Sequence, residues 1–361
     1  MLREIAARNF RNLEPLRLEL SEGRHLLLGP NGAGKTSLLE AIYLTATTRS
    51  FRTARPAEAI RHGERDFFLE LETAAGDRLE LAAEGGERRR RKNGKAADLA
   101  GWLATLPLVA WTGADLEILL GAPASRRRLL DRGVIGRRPA ALALLAGYRQ
   151  ALEEKRGLLQ QERFTAAELE PWNQLLATYG AELAAERQLF VAELATALAE
   201  LAEKSELGLP PLELSYRPSP AKALAGAEAL YAALSGASRA EAAQRQPLVG
   251  PQRDEIEIRF GGQPLRQVAS AGERKALSLL LSLAQGRVLE KQGKRPVYLL
   301  DDLDAELDRE RRRRLWRLLE PGPEGPLQVF ASSNRPEIWP ASELDFRWAC
   351  ERGRIALEVG L

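Results

Sequence analysis

The chain has 361 residues, enough for two or three structural units with cores of their own. Its 53 Lys and Arg stand against 50 Asp and Glu, a net charge of +3 that excludes a surface basic all over but not a local basic patch. One cysteine, Cys350, and two histidines, His25 and His62, exclude a disulfide framework, a cysteine-based zinc site and a His-rich metal centre.

Met1 to Asn12 carries Arg3, Glu4, Arg8 and Arg11 and so lacks the apolar centre of a signal peptide. No apolar run approaches the ~18 residues that read as a membrane span. A cytoplasmic, nucleoid-associated protein without membrane contact is expected. Leu16, Leu18 and Leu20 alternate as in a half-buried strand, and His25-Leu26-Leu27-Leu28 reads as a buried parallel strand. Gly29 to Thr36 breaks that run, and Ser37 to Leu44 resumes at helical spacing. Further alternation over Phe67–Glu72 and Leu79–Leu81 makes the first hundred residues strands with one helix behind a glycine-rich loop.

From about Ala114 to Leu207, Ala, Leu, Glu, Arg and Gln dominate. Leu175, Tyr179, Leu183, Glu186 and Phe190 follow the spacing of an amphipathic helix. Leu212–Tyr216 reads as a strand, Ala221–Ala243 as helix, and Ile256–Phe260 with Gly261-Gly262 as a hairpin arm. An α/β series closes the chain: helix over Arg274–Glu290, strand over Val297–Leu300, helix over Asp308–Leu319, strand over Gln328–Ser332.

Gly29-Pro30-Asn31-Gly32-Ala33-Gly34-Lys35-Thr36 fits G-x-x-x-x-G-K-[ST] between a strand and a helix. Glycines let backbone N–H groups curl around a phosphate, Lys35 can reach the β- and γ-phosphates, and Thr36 offers a hydroxyl to Mg²⁺. The acidic half of such a site is Val297-Tyr298-Leu299-Leu300-Asp301-Asp302, with Asp301 for Mg²⁺ and Asp302 to polarise a water. More than a typical domain separates Lys35 from Asp301, so something large is inserted between two halves of one nucleotide site. Ser270-Ala271-Gly272-Glu273-Arg274 opens a further helix, with Ser270 as its cap, and forms a second anion-binding end. One nucleotide site needs no second such end; two protomers arranged head to tail do.

With these motifs the chain resembles the ABC-type ATPases of the SMC-like branch, and within them the RecF family. The finer resemblance rests on Asn9-Phe10-Arg11-Asn12, Arg49-Ser50-Phe51-Arg52, Pro123 to Arg132, Trp172 with Gly180-Ala181-Glu182, and Gly250 to Glu255. It implies an α/β ATPase lobe with an inserted, mostly α-helical lobe. The expected boundaries are 1–111 and 207–361 for the ATPase lobe and 112–206 for the helical lobe, with 221–246 assignable to either. It further implies Ser270 to Glu273 as a signature loop and Ala305 to Asp308 as a D-loop. Arg11, Ser270, Gly272 and Asp308 join the phosphate loop as nucleotide contacts. Double-stranded DNA, single-strand/double-strand junctions, RecR with RecO, and a second copy of the chain are the implied partners.

Departures from the family pattern are expected to matter. Gln252 stands where a His is usual, Asp302 where ABC enzymes carry Glu, no Gln lies between Thr36 and Arg149, and Ala331-Ser332-Ser333-Asn334 lacks a switch histidine. Weak, DNA-dependent hydrolysis follows. Arg88, Arg89, Arg90, Arg91 and Lys92, with Lys95 beyond Asn93-Gly94, read as a basic hairpin turn for DNA phosphates. Arg126, Arg127 and Arg128 are further DNA candidates, and Arg311–Arg314 reads as a solvated helix face. The tryptophans read as core, and nothing suggests base readout. The expected function is an ATP-Mg²⁺-dependent, dimerising DNA clamp in recombinational repair. Its rivals are a transporter ATPase subunit, a non-hydrolysing DNA scaffold and a P-loop small-molecule kinase.

Overall fold

The computed structural model describes residues 1–85, 87–305, 307–320 and 327–358. Its contacts divide the chain into two units, one of residues 1–116, 200–209 and 270–361, the other of 117–199 and 210–269.

The first unit is built on two six-stranded sheets. The inner sheet joins β1 (Gly23–Leu28) to strands that come from the other end of the chain, β2 (Val297–Leu300) and β3 (Gln328–Ser333). Across it the order is Arg354–Leu357, Phe346–Glu351, β1, β3, β2, Leu108–Trp111, parallel except for the hairpin edge strand Arg354–Leu357. Register pairs Ser333 with Leu28 and Leu300 with both Ala331 and Trp111. The carboxyl ends of β1, β2 and β3 therefore share one edge, which is where open parallel sheets bind ligands.

The second sheet is antiparallel, in the order Leu16–Glu19, Leu2–Arg8, Asp66–Thr73, Arg78–Glu84, Glu87–Lys92, Lys95–Ala96. Between the sheets lies α1 (Lys35–Thr47). Its Leu38, Leu39, Ala41, Ile42 and Leu44 share one core with Ile5, Leu69, Leu79 and Leu81 of the antiparallel sheet and with Val297, Leu299 and Phe330 of the parallel one. A helix that is apolar nearly all round must be covered on every side, and this one is. The one acid within it, Glu40, is fully buried. The helix α2 (Ala271–Glu290) and the helix α3 (Arg309–Arg317) complete the unit.

The second unit carries the helices Pro123–Arg137, Ala141–Gln160 and Ala227–Gln244, most of Ala166–Lys204, and a three-stranded sheet. In that sheet Leu212–Arg217 pairs along its length with Glu255–Phe260, which turns back through Gly261-Gly262 onto Gln263–Pro264. The sequence places the return to the first lobe at 207. The contacts place it at 270, apart from residues 200–209, because Leu212–Arg217 finds its hydrogen-bond partner locally. Two buried ionic clusters fix this unit. Lys155 and Glu241 form a solvent-free pair at 2.6 Å. Arg187 donates to Asp131 at 2.6 Å and to Asp254 at 2.7 Å. Among the described residues no helix is long and apolar enough to cross a membrane.

Three expectations about cations are corrected. Arg88 to Lys92 lie on an extended strand and not in the turn, so period two sends them to alternate faces. Arg126 forks onto Glu255 and donates to the Gly121 carbonyl at 3.0 Å, Arg127 donates to the Asp254 carbonyl at 3.3 Å, and Arg128 bonds Ser125 at 2.9 Å. Arg126 is committed to the packing of the second unit, whereas Arg128, bonded among the described residues only within its own helix, stays exposed. Arg312 is buried, 4.4 Å from the ring centroid of Trp339 and bonded to Glu343, so α3 is not solvated all round.

His25 shows what the parallel core does to a titratable group. It is stacked between Phe330 and Phe346, each 4.5 Å away, bonded to the Ser21 carbonyl, and accepts from Trp348 Nε1. Burial pushes its pKa down to about 4. Above pH 6.5 the imidazole is neutral folded or unfolded, and nothing is lost. As pH falls from 6.5 toward 4 the unfolded chain takes up a proton that the folded core refuses, a destabilisation of about 3 kcal/mol. Of the two histidine ring resonances, that of His25 is expected not to titrate between pH 8 and 5. A midpoint near 6.5 would contradict the stacking.

Candidate nucleotide-binding site

The phosphate loop leaves β1 at Leu28, turns over Gly29 to Gly34 and enters α1 at Lys35. Two glycines are required by geometry. A Cβ on Gly29 would lie 2.1 Å from the Cys350 carbonyl oxygen, and Gly34 caps α1 at φ 110°, where a side chain is strained. Lys35 is folded back onto the loop, donating to the carbonyls of Gly29 at 2.6 Å and Pro30 at 2.9 Å. Asn12 braces the loop from below: it donates to the Gly32 carbonyl at 2.7 Å and accepts from Ser37 at 2.7 Å.

The acidic half meets this loop directly. Thr36 Oγ1 donates to Asp301 Oδ1 at 2.9 Å, and Ser332 Oγ donates to the same oxygen at 2.7 Å. Ser332 Oγ in turn accepts from the Asp302 N–H at 2.8 Å, which holds Asp302 at φ 54° just past the strand end. Lys275 of α2 supports the turn from behind, donating to the Asp302 carbonyl at 3.2 Å while its ammonium lies 5.2 Å from the ring centroid of Trp111. The next residue of β3 repeats the device, since Ser333 donates to the buried Asp304 at 2.9 Å. Burial pushes the Asp301 carboxyl above its ordinary range, and the Ser332 and Thr36 hydroxyls pull it back.

Above these groups opens a cleft of about 560 Å³, within the size range of small-molecule sites. Its lining brings together Arg11, Asn31 to Thr36, Asp301 and Asp302, residues the sequence reading selected. It adds Asn12, Arg52, His62 and Ser332. Ser332 was legible only as a non-histidine after the last strand, and Asn12 only as part of a family motif. Ser270, Gly272 and Asp308 do not line the cleft. Ser270 caps α2 in a reciprocal box with Glu273, and Asp308 caps α3 by accepting from Arg311 N–H at 2.8 Å.

The donors around Asp301 suit a hard divalent cation held only in part by protein. Thr36 and Asp301 offer oxygen ligands 2.9 Å apart, and among the described residues no group of three or more His, Cys, Asp or Glu forms a complete cage. Mg²⁺ is bound in this way, one or two protein oxygens with phosphate and water supplying the rest. A glycine-rich turn at the head of a helix, with Lys35 beside it, suits the phosphates themselves.

A family model described as an AAA domain matches residues 4–105. The chain is 35% identical to the DNA replication and repair protein RecF of Magnetococcus marinus, an alignment covering 99% of this chain and 97% of that one. It is 32% identical to the RecF of Streptomyces avermitilis, over 87% and 89%. Among solved structures, the recombination mediator protein RecF bound to ATP superposes with a TM-score of 0.87 at 26% identity, covering 99% of each chain. An Smc head bound to the C-terminal winged-helix domain of ScpA superposes at 0.58 and 14% identity, over 99% and 96%, which speaks for the fold alone. The fold is that of an ABC-type, SMC-like ATPase.

Asp301→Asn tests the electrostatics of the site. A carboxyl whose folded pKa is raised contributes stability at low pH that is lost as pH rises through that pKa, so replacing Asp301 by a neutral amide removes a group whose charged form burial disfavours. The uncharged amide still accepts from Thr36 and Ser332. At pH 7.5 its Tm is expected to equal or exceed that of the wild type, while nucleotide binding loses its Mg²⁺ dependence. A lower Tm with Mg²⁺ dependence retained would count against the assignment.

Proposed function

The chain belongs to the RecF family of DNA replication and repair proteins, and on that footing we propose that it is an ATP-dependent DNA clamp of recombinational repair. The observation that carries the nucleotide part is the 2.9 Å contact between Thr36 and Asp301, which joins the phosphate loop to the acidic strand end. Backbone N–H groups of Gly32 to Thr36 and the Lys35 ammonium would hold the phosphates of ATP, with Arg11 on the cleft wall. Thr36 and Asp301 would hold Mg²⁺. When bound, that ion neutralises charge between the terminal phosphates and orients them.

Asp302 sits at the cleft with its backbone N–H tied to Ser332 and its carbonyl to Lys275. In this position it would accept a proton from the attacking water. Its side chain is one methylene shorter than the Glu of faster ABC enzymes, which suits slow hydrolysis and a timed release better than a motor. Ser270 and Gly272, at the head of α2 and outside their own cleft, would meet the nucleotide of a second copy. ATP then drives a head-to-tail dimer, and Asp308 lies in the D-loop of that junction.

DNA would be held through its phosphates. Arg89, Arg90 and Arg91 carry no ion pair among the described residues, Lys95 is exposed, and Arg88 bonds only the Thr48 carbonyl. Lys92, tied to Asp77 and Thr105, is the least free of this group. Such contacts position without reading sequence and weaken with salt. Double-stranded DNA and single-strand/double-strand junctions are the proposed substrates, and RecR, acting with RecO, the proposed protein partner.

Light scattering with and without ATP-Mg²⁺ tests the dimer. Lys35→Ala is expected to lose ATP binding, and Ser270→Arg to bind ATP yet keep the mass of a single chain. A Ser270→Arg dimer in ATP would remove the signature assignment. In a gel-shift on gapped and intact duplex, replacing Arg89 and Arg91 by Ala is expected to weaken both equally and to reduce the slope of affinity against salt by about 2. An unchanged slope would take DNA away from this strand.

A further inference from the structure

The proposed ATP cleft has a feature that the phosphate-loop chemistry does not use. Glu40, on the second turn of α1 and the one acid in that helix, is fully buried. Four donors from three residues converge on its carboxylate. Arg11 forks onto it through Nε at 2.9 Å and Nη2 at 2.7 Å, Ser50 donates from its hydroxyl, and Arg52 donates through Nη1 at 3.3 Å. Arg11 and Arg52 both line the cleft.

A carboxylate buried among leucines is stable only when paired, and this one has two cations for a single negative charge. The wall therefore keeps one positive charge in excess, facing the cleft. The two arginines are held unequally. Arg11 is bound by two short bonds in the geometry of a guanidinium–carboxylate fork, is further tied to the Glu58 carbonyl, and its side chain is 16% exposed. Arg52 has one long bond, and its side chain is 44% exposed. It lines the same cleft as Asp301 and Asp302. Ser50, also fixed by Glu40, accepts the backbone N–H groups of Arg52 at 2.9 Å and Thr53 at 3.0 Å and so shapes the segment that carries Arg52.

We propose that Glu40 is a positioning residue for the nucleotide site, which locks Arg11 into the wall and presents Arg52, loosely held, to the terminal phosphate. On this view Glu40 sets the preference for ATP over ADP. The two nucleotides differ in one phosphate, and Arg52 is the cation free enough to answer that difference. The inference rests on the nucleotide reading of the cleft.

Binding of fluorescent ATP and ADP analogues with Mg²⁺ to the full chain tests it, with the ratio of the two affinities as the readout. Glu40→Gln keeps the shape and removes the charge; Arg52→Gln removes the cation from a half-exposed position where folding is not at risk. Each is expected to lower the ATP-over-ADP ratio about tenfold, the worth of one charge-assisted bond. The double variant is expected to match the single ones, because Glu40 acts on this ratio through Arg52. A purely structural Glu40 would lower both affinities together and leave the ratio unchanged, which overturns the proposal, as does an additive loss of about 100-fold in the double variant. Should Glu40→Gln not fold, an undiminished ratio in Arg52→Gln alone overturns it. Failure of the wild type to bind either nucleotide would instead remove the nucleotide reading itself.

Discussion

The arrangement of the site depends on one constraint, the parallel register of β1, β3 and β2. Because Ser333 stands beside Leu28 and Ala331 beside Leu300, three chain segments leave the sheet at the same edge. The first supplies the phosphate loop, the second the acid pair, the third the hydroxyl that bonds both. A slip of one residue in β3 would turn Ser332 to the other face and leave Asp301 with Thr36 alone. The strand ends are therefore the instrument that brings Thr36 and Asp301 within 2.9 Å, although most of the chain lies between them. Apolar packing enforces the register: α1 fits between the two sheets only when Val297, Leu299 and Phe330 face it from one side and Leu69, Leu79 and Leu81 from the other.

Around that edge, ionisable groups are buried with partners of unequal strength. Asp301 has two hydroxyls and no cation among its hydrogen-bond partners, so burial dominates and its carboxyl is pushed up. Asp304 is similar, with Ser333 as its donor and a raised pKa. Glu40 has two guanidinium groups, one held tightly and one loosely. In the second unit Arg187 is sandwiched between Asp131 and Asp254 with both contacts short. The last arrangement is closed and serves packing. Of these acids, Asp301 lines the cleft and is left with hydroxyl donors alone, and a carboxylate so placed suits the cation proposed for it.

What was legible in the sequence was what is local. The phosphate loop is eight consecutive residues whose types are each dictated by the turn, and Asp301-Asp302 follows a four-residue apolar strand that could hardly be anything else. The cap at Ser270 was legible for the same reason, since Glu273 three residues on completes it. Ser332, Asn12 and Glu40 were not. Their roles arise from partners 10 or more residues away, as with Ser332 and Asp301 or Glu40 with Arg11 and Arg52, and no spacing rule reports such a meeting. Charge runs misled in the opposite direction. Arg126 and Arg127 look free in sequence, yet Glu255 and the Asp254 carbonyl, more than a hundred residues on, consume them. Leu212–Arg217 was correctly read as a strand, but a strand signal does not say which sheet takes it.

Arg126 and the strand Glu87–Lys92 show how differently a helix and a strand place consecutive cations. On a helix, consecutive residues point about 100° apart, so three arginines in a row necessarily include some that face the protein, where a carboxylate or carbonyl must meet them. On a strand near a sheet edge, consecutive residues divide between two faces. Arg89 and Arg91 share the face of Glu80 and Ala82, while Arg88, Arg90 and Lys92 stand opposite Ala83, Leu81 and Leu79. Those small or aliphatic neighbours offer no acceptor, and the only acid directly across is Glu80. Among the described residues four of the five cations thus stay without an ion pair, Lys92 alone reaching Asp77, because a pleated strand near an edge cannot fold counter-charges over the rest. Such an edge also resists pairing with another strand, since like charges would be brought face to face. The same geometry leaves Arg89 and Arg91 exposed on one face, where the DNA contact proposed above would fall.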